Sequence, residues 1–427
     1  MVLTDRFAKT SSSSTAACNN LSTYCGGTWK GMEQKLDYIQ GLGFDAIWIT
    51  PIVTNTDGGY HGYWAKDIYS VNSNYGSAAD LTSLITAVHA RGMYIMVDIV
   101  VNHMGFGSVT TFNPFNNAGY YHSSCSISDY TNQGMVESCQ IADLPDLKTE
   151  DSNIRSIFQS WIRNLVSTYH IDGLRLDTVK HVEKSFWPDF ISAAGVFSIG
   201  EVFHGDPAYV GPYQNSVPGL VNFPMYYSIT DSYARKVNFQ NLVNQHNSVS
   251  SNFKRPELLG TFLDNHDVQR FLNINSDWTL LKNALVFTIL SRGIPILYGG
   301  TEQTYSGGDD PANREDLWRS GYSTTGDIYT FIKKLLAAKK SVGGLGANDH
   351  THLYVTANAY AFSRLGGKVV VLTTNNGSGS SGQHCFNTNV ATGTVFSSAL
   401  GTAKYTAGSG GNICVGVSNG QPEVLLA

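Results

Sequence analysis

An α/β fold, a TIM-type (β/α)8 barrel with a small inserted domain after its third strand and a C-terminal antiparallel β-sandwich, is predicted by three observations. Apolar runs of strand length alternate with helical segments until eight have passed, the last near Ile294, which is the tally of a closed parallel barrel. From His103 to Leu147 the alternation stops and no amphipathic helix appears, only Gly, Ser, Asn and aromatics. That stretch is too long for an ordinary connection and reads as an inserted unit. Past the Gly-rich linker Gly343 to Ala347, short alternating strands replace helical spacing, as a sandwich requires. The expected domains are therefore 1–102 with 148–342 (barrel), 103–147 (insertion) and 347–427 (sandwich).

Taken in order, Val2 to Phe7 reads as the first strand, followed by a Ser/Thr/Asn-rich loop that holds Cys18 and Cys25. Its Ser11 to Ser14 run is the one low-complexity tract. Trp29 to Gln40 carries apolar residues at helical spacing, and Phe44 to Thr50 is a buried strand ended by Pro51. A helix through Leu81 to Ala90 precedes the strand Tyr94 to Val101. The remaining strands are those at Ile171, Val196 to Gly200, Leu220 to Phe223, Leu258 to Leu263 and Ile294 to Tyr298. A doubly wound open sheet competes with the barrel, but no glycine fingerprint follows the first strand. After the helix Ile328 to Lys339 and the linker come Ala359 to Ser363, Val369 to Thr373 and Ile413 to Val417.

Charged residues make up 14 % of the chain, against about 25 % in an average protein. With a net charge of −5 and no Lys/Arg cluster, nothing favours nucleic acid or an anionic membrane. A neutral, hydroxyl-rich ligand suits such a surface. The six cysteines, Cys18, Cys25, Cys125, Cys139, Cys385 and Cys414, fall into three sequence-local pairs with no zinc or redox spacing. Local disulfides in an oxidising compartment are the favoured reading, with six buried thiols as the alternative. Two glycosylation sequons begin at Asn20 and Asn376, which agrees with secretion. No apolar run reaches membrane-span length; the longest lies near Ala284 to Leu290. Asp5 and Arg6 preclude a signal peptide at Met1, so the numbering is expected to begin after a leader.

Chemistry gathers at four strand ends. Asp98 is followed by Asn102 and His103; Arg175 precedes Asp177; Gly200 precedes Glu201; and Asp264 to Asp267 reads Asp-Asn-His-Asp. Side chains two apart on a strand share a face, so Arg175 points with Asp177 and keeps that carboxylate ionised. Alone, this pair is equally a structural ion pair. A closed barrel, however, brings these ends to one rim, where Asp177, Glu201 and Asp267 converge with His103 and His266. Two carboxyl groups, one ionised and one protonated, are what glycosidic cleavage requires. Asp177 is the candidate nucleophile. Glu201, beside Val202 and Phe203, is the candidate acid/base, because burial and a neighbouring carboxylate both raise a carboxyl pKa. Asp267 is left to bind hydroxyls and distort the ring.

In order and spacing, Asp98 to His103 (DIVVNH), Gly173 to His181 (GLRLDTVKH), Gly200 to Val202 (GEV) and Phe262 to Asp267 (FLDNHD) resemble the four signature regions of the α-amylase family of glycoside hydrolases. The likeness runs nearly end to end and is strongest to secreted fungal members, which share stretches like Tyr60-His61-Gly62-Tyr63-Trp64 and Asp310-Pro311-Ala312-Asn313-Arg314. It implies Asp177 as nucleophile, Glu201 as acid/base and Asp267 as transition-state stabiliser. Arg175, His103 and His266 would contact the reacting sugar, Tyr63 would stack beneath it, and His61 belongs to the same pocket. Of the rim aromatics Tyr63, Trp64 and Tyr213, Tyr63 is the firmest stacking platform. Lys180 and Gly205 would bind sugars on the reducing-end side of the cut, Asp310 and Arg314 on the other, and His181 would also contact substrate. From spacing alone, Asp310 and Arg314 are equally an exposed i, i+4 ion pair.

The resemblance also implies a calcium ion between insertion and barrel. Its ligands would be the Asn102 side chain, the Glu137 carbonyl, the Asp146 carboxylate and the His181 carbonyl, an all-oxygen set suited to a hard cation. From spacing alone, Asp146 capping a helix and Asn102 bonding its own backbone are the simpler readings. The expectation is thus a secreted, monomeric, Ca2+-dependent endo-acting α-amylase that cleaves internal α-1,4 bonds of starch, glycogen and malto-oligosaccharides with retention. A maltogenic enzyme, an α-glucosidase, a transglycosylase and a non-catalytic sugar-binding barrel are the rivals. Three departures stand out. The family's first strand begins before the equivalent of Val2, so a shortened amino end is expected; cysteines for a fourth disulfide are missing; and His204 and Gln140 occupy positions where relatives carry Asp or Asn and an aromatic.

Overall fold

The computed structural model describes residues 1–427 except Ser12, which lies in the serine run. Seven parallel strands form one curled sheet in the order Ala46–Ile49, Tyr94–Ile99, Gly173–Leu176, Phe197–Gly200, Gly219–Val221, Leu259–Thr261 and Ile294–Pro295. Every neighbouring pair is parallel, as helical crossovers demand. Their side chains are almost all apolar and buried, because both faces of a barrel wall are covered.

The eighth stave is not the strand expected over Val2 to Phe7. Only Val2 pairs in parallel, with Ile49, while Met1 bonds the other edge: its ammonium donates to the Leu297 carbonyl at 2.8 Å and its carbonyl accepts from Gly299 N–H. Thr4–Phe7 instead form a helical turn. The Asp5 carboxylate fixes that turn by accepting the Cys25 and Gly26 amides, tertiary bonds that draw the segment out of extended pairing. At the other edge the strand expected from Ile294 to Tyr298 is regular only over Ile294–Pro295, although Ile296 N–H still donates to the Thr261 carbonyl.

The helix expected over Trp29 to Gln40 is broken into Trp29–Glu33 and Leu36–Leu42. The two halves pack on different neighbours, the first on Ala78–Ala90 and the second on Asp327–Ser341. Ser152–Tyr169 shows how sequence delivers a site strand. Asp151 caps it by accepting the Asn153 and Ile154 amides; Ile154, Phe158, Trp161, Ile162 and Leu165 bury one face; and His170 ends it in the left-handed conformation. The chain then enters Gly173–Leu176.

The insertion after the strand Tyr94–Ile99 is mostly irregular, with one short helix, Gln133–Ser138, and the Cys125–Cys139 disulfide. A hairpin absent from the sequence reading, Val53–Asn55 with Ala65–Val71, extends this side of the molecule by pairing Asp67 with Asn113. At the carboxyl end a six-stranded antiparallel sheet faces the two-stranded sheet Gly382–Asn387/Asn412–Val417, with Ala361, Leu372, Phe386 and Val415 buried between them. The apolar run noted near Ala284 lies in Trp278–Leu290, buried on all sides between barrel and C-terminal sheet. Among the described residues no helix is long and apolar enough to cross a membrane. Cys18–Cys25 and Cys385–Cys414 complete three local disulfides.

Candidate active site

Register assembles the site. Asp98 pairs with Arg175, and Leu176 with Gly200. The ladder continues past the strand ends, with Asp177 N–H on the Ile99 carbonyl and Glu201 N–H on the Leu176 carbonyl. Asp177 and Glu201 therefore emerge side by side at the carboxyl rim. Between them Thr178 adopts φ 49°, ψ 38°, a left-handed conformation costly for a β-branched residue. This turn aims the Thr178 amide at Glu201 Oε2, 3.2 Å away. Gly200 is needed here because a Cβ would stand 2.9 Å from Val179 Cγ2.

One guanidinium joins the carboxyl groups. Arg175 Nη1 lies 2.6 Å from Asp177 Oδ1 and 3.0 Å from Asp98 Oδ1, and Nη2 lies 2.8 Å from Glu201 Oε1. Asp98 also accepts from Trp48 Nε1 and the Tyr63 hydroxyl. Asp267 arrives after Leu259–Thr261, tied to Arg314 Nη2 at 3.4 Å and to His266 Nε2 at 3.2 Å. With a single guanidinium among three buried carboxyls, not all of them ionise easily. Burial raises Glu201 above the carboxylate range, and Asp177 and Asp267 push it further while Arg175 opposes them. Asp98 and Asp267 are raised as well, again chiefly by burial.

The predicted sugar contacts surround this centre. Tyr63 stacks on His266 with ring planes 7° apart, and its hydroxyl lies 2.8 Å from His266 Nε2. His61 accepts the Tyr63 amide and packs edge-on against Trp64; His103 Nε2 lies 3.2 Å from the Tyr63 carbonyl. Burial holds His61, His103 and His266 neutral at physiological pH by lowering all three. On the other flank, a cavity of about 440 Å3 is lined by Glu201, Lys180, His181, Tyr130, Phe203 and Tyr227 among others. Lys180 is steadied by the Phe203 carbonyl, and Gly205 lies against the Tyr227 ring.

Arg314 and Asp310 are not an exposed surface pair. Arg314 is buried, bonding the His266 carbonyl and the Tyr60 hydroxyl, while Asp310 is half exposed 3.1 Å away. Tyr213, by contrast, is fully buried and offers no stacking face; it packs beneath Lys184 and beside Tyr209. Sequence reasoning also missed Trp48 and Arg6. Trp48 packs against Arg175, and Arg6 lies over Tyr60 and donates to the Arg314 carbonyl. No motif marks either one; the charge of Arg6 so close to Met1 was read only as evidence against a leader.

The segments that carry the expected calcium ligands are joined in two pairs. Asn102 and Asp146 lie on paired segments, with Leu147 N–H bonding the Asn102 carbonyl. His181 Nδ1 contacts the Val136 carbonyl, and Gln133 bonds the Lys180 carbonyl, which pins the turn Val179–His181 to the helix carrying Glu137. Asp146 is 2 % exposed: His122 holds Oδ2, and Oδ1 is buried without a hydrogen-bond partner. A buried carboxylate oxygen left over is costly unless a cation takes it, so these residues fit a calcium ion.

Comparison with known proteins identifies the family. Residues 1–328 match the family described as alpha amylase, catalytic domain. The chain is 43 % identical to an alpha-amylase of Saccharomycopsis fibuligera over 100 % of this chain and 90 % of that protein. It is 43 % identical to alpha-amylase 2 of Schwanniomyces occidentalis over 99 % and 88 %. The solved structure of an alpha-amylase from Malbranchea cinnamomea superposes with a TM-score of 0.96 at 40 % identity, covering 100 % of this chain and 95 % of the other. A catalytic-domain match over three quarters of the chain and end-to-end identity to named enzymes place the chain in the alpha-amylase family of glycoside hydrolases.

Proposed function

We propose that this protein is a secreted, endo-acting α-amylase that hydrolyses internal α-1,4-glucosidic bonds of starch and glycogen by retaining double displacement. The observation that carries this reading is the shared Arg175 guanidinium, which binds Asp177 on one nitrogen and Glu201 on the other. Retaining enzymes need two carboxyl groups about 5–5.5 Å apart on either side of one anomeric carbon. Glu201, held protonated by burial, gives its proton to the leaving glycosidic oxygen. Asp177 attacks the anomeric carbon and forms the covalent glycosyl intermediate. Glu201, now ionised, takes a proton from water, whose oxygen displaces Asp177 and restores the starting configuration. Asp267, oriented by Arg314 and His266, binds ring hydroxyls and favours the distorted sugar. Tyr63 supplies the stacking face.

Asn102, Asp146 and the carbonyls of Glu137 and His181 would hold calcium. When bound, the ion neutralises Asp146 and fastens the insertion to the turn that follows Asp177. The three disulfides and the exposed sequon residues Asn20 and Asn376 support passage through an oxidising, secretory route.

Asp177→Asn should fold normally, as judged by circular dichroism, yet lose roughly 10⁴-fold or more in kcat on soluble starch. Wild-type protein should cut malto-oligosaccharides blocked at the non-reducing end. Near-full activity in the variant, or no cleavage of the blocked substrate, refutes the endo-amylase reading.

A further inference from the structure

Away from the catalytic rim, three imidazoles meet where the C-terminal sheet packs on the barrel. His246 lies on the barrel helix Phe239–Asn252, His350 just before the strand Thr351–Val355, and His352 within it. One ring nitrogen from each lies within 4.8 Å of the other two; among the described residues no other three His, Cys, Asp or Glu side chains meet this spacing. The mechanism uses none of them.

Their hydrogen bonding is incomplete in a way that points to a ligand. His246 is 5 % exposed, and neither of its ring nitrogens has a partner. His350 Nδ1 is also buried and unpartnered. Leaving such groups unpaired is costly, so a purely structural cluster would be expected to have satisfied them. The opposite nitrogen of His350, Nε2, lies 2.7 Å from the Tyr360 hydroxyl, and His352 Nδ1 lies 2.7 Å from the same oxygen. The phenol accepts the His350 N–H and donates its own proton to His352 Nδ1. With the His350 Nε2–H directed at Tyr360, its buried Nδ1 keeps a free lone pair, the outer-shell arrangement that orients metal-bound histidine. His352 Nε2–H donates to Asn247 Oδ1, 3.2 Å away; a metal at Nε2 displaces that proton and leaves Asn247 Oδ1 as a fourth ligand within reach.

We infer that His246, His350 and His352 form a structural site for a divalent transition metal of the zinc class, joining the C-terminal domain to the barrel. The donor set selects the ion. Imidazoles suit zinc, copper and nickel, whereas calcium requires oxygens. Arg292 and Arg364 flank the cluster and no carboxylate contributes, which further disfavours a weakly held hard cation. Arg364 is itself occupied by Asp349 and by backbone carbonyls, and Arg292 by Ser250 and Asn348. Zinc–nitrogen bonds of about 2.0–2.1 Å require the nitrogens to draw together by roughly 1 Å. Because His246 and His350 lie ring to ring at 4.1 Å, this takes a ring rotation.

The test uses untagged full-length protein, freed of transition metals and kept saturated with calcium. Zinc chloride is titrated calorimetrically while the melting temperature is followed. One zinc per chain and a melting temperature that rises with occupancy are expected. Cobalt in its place should give the visible absorption of a tetrahedral site. His246→Gln and His352→Gln should each weaken zinc binding at least about tenfold, abolish the cobalt spectrum and leave starch hydrolysis unchanged. His352 is only half buried, so its variant carries the test should His246→Gln fail to fold. Absence of stoichiometric zinc binding, or full zinc binding and stabilisation in the His352→Gln protein, overturns the inference.

Discussion

Arg175 sets the charge balance of the cleft, since Asp98, Asp177 and Glu201 all lie within hydrogen-bond reach of its guanidinium. A lysine there keeps the charge but loses the fork that binds two carboxyl groups at once. Arg175→Lys should therefore fold yet lose about 10²-fold or more in kcat through misplacement of the pair, measured on soluble starch. A second residue-scale expectation concerns pH. Glu201 is raised by burial, then by Asp177 and Asp267, so the proton it donates is lost on the alkaline side, and the alkaline limb of kcat/KM reports it. Removing the Asp267 charge lowers that pKa, so the limb of the residual activity in Asp267→Asn should move toward acid; an unmoved limb contradicts the assignment. The carboxylates, His103, His266 and Arg175 were legible because each sits in a dense motif at a strand end. Trp48 and Arg6 were not, since one reads as an ordinary core aromatic and the other reaches the site only through Tyr60 and Arg314.

At the scale of elements, the pattern of buried faces fixed most strands and helices, and the errors share a cause. Val2 to Phe7 reads as the first strand, but the Asp5 carboxylate captures two backbone amides and curls it. Trp29 to Gln40 has a continuous helical pattern, yet two separate neighbours divide it. Tertiary partners decided both, and no local signal encodes them. Trp278–Leu290 is the opposite case, an apolar run whose burial on every side follows from its composition. It holds barrel and C-terminal sheet together, with Asn283 donating to the Gly420 carbonyl and accepting the Thr374 amide. Leu285 is wholly buried there. Leu285→Ala should cost about 2–5 kcal/mol, read from urea unfolding, and a loss under 1 kcal/mol would show that the helix does not carry this junction.

Over the whole molecule, distant segments are tied around one cleft: the insertion through Asn102 and Asp146, the rim through Asp177, Glu201 and Asp267, and the amino end through Arg6. Calcium belongs to this scale. Chelation should lower the melting temperature and starch hydrolysis together, and returning calcium should restore both; activity untouched by a tight chelator would contradict the site at Asp146. The insertion was recognisable in the sequence as a helix-free stretch, but its partnership with the hairpin Val53–Asn55/Ala65–Val71 was not, because the register shifts within that hairpin leave no clean alternation to read. The central claim is that Asp177 and Glu201 act on opposite sides of one anomeric carbon. Proton NMR of the first products released from a malto-oligosaccharide decides this: the new reducing ends should appear as the α-anomer before mutarotation, and β-anomer as the first product would rule the arrangement out.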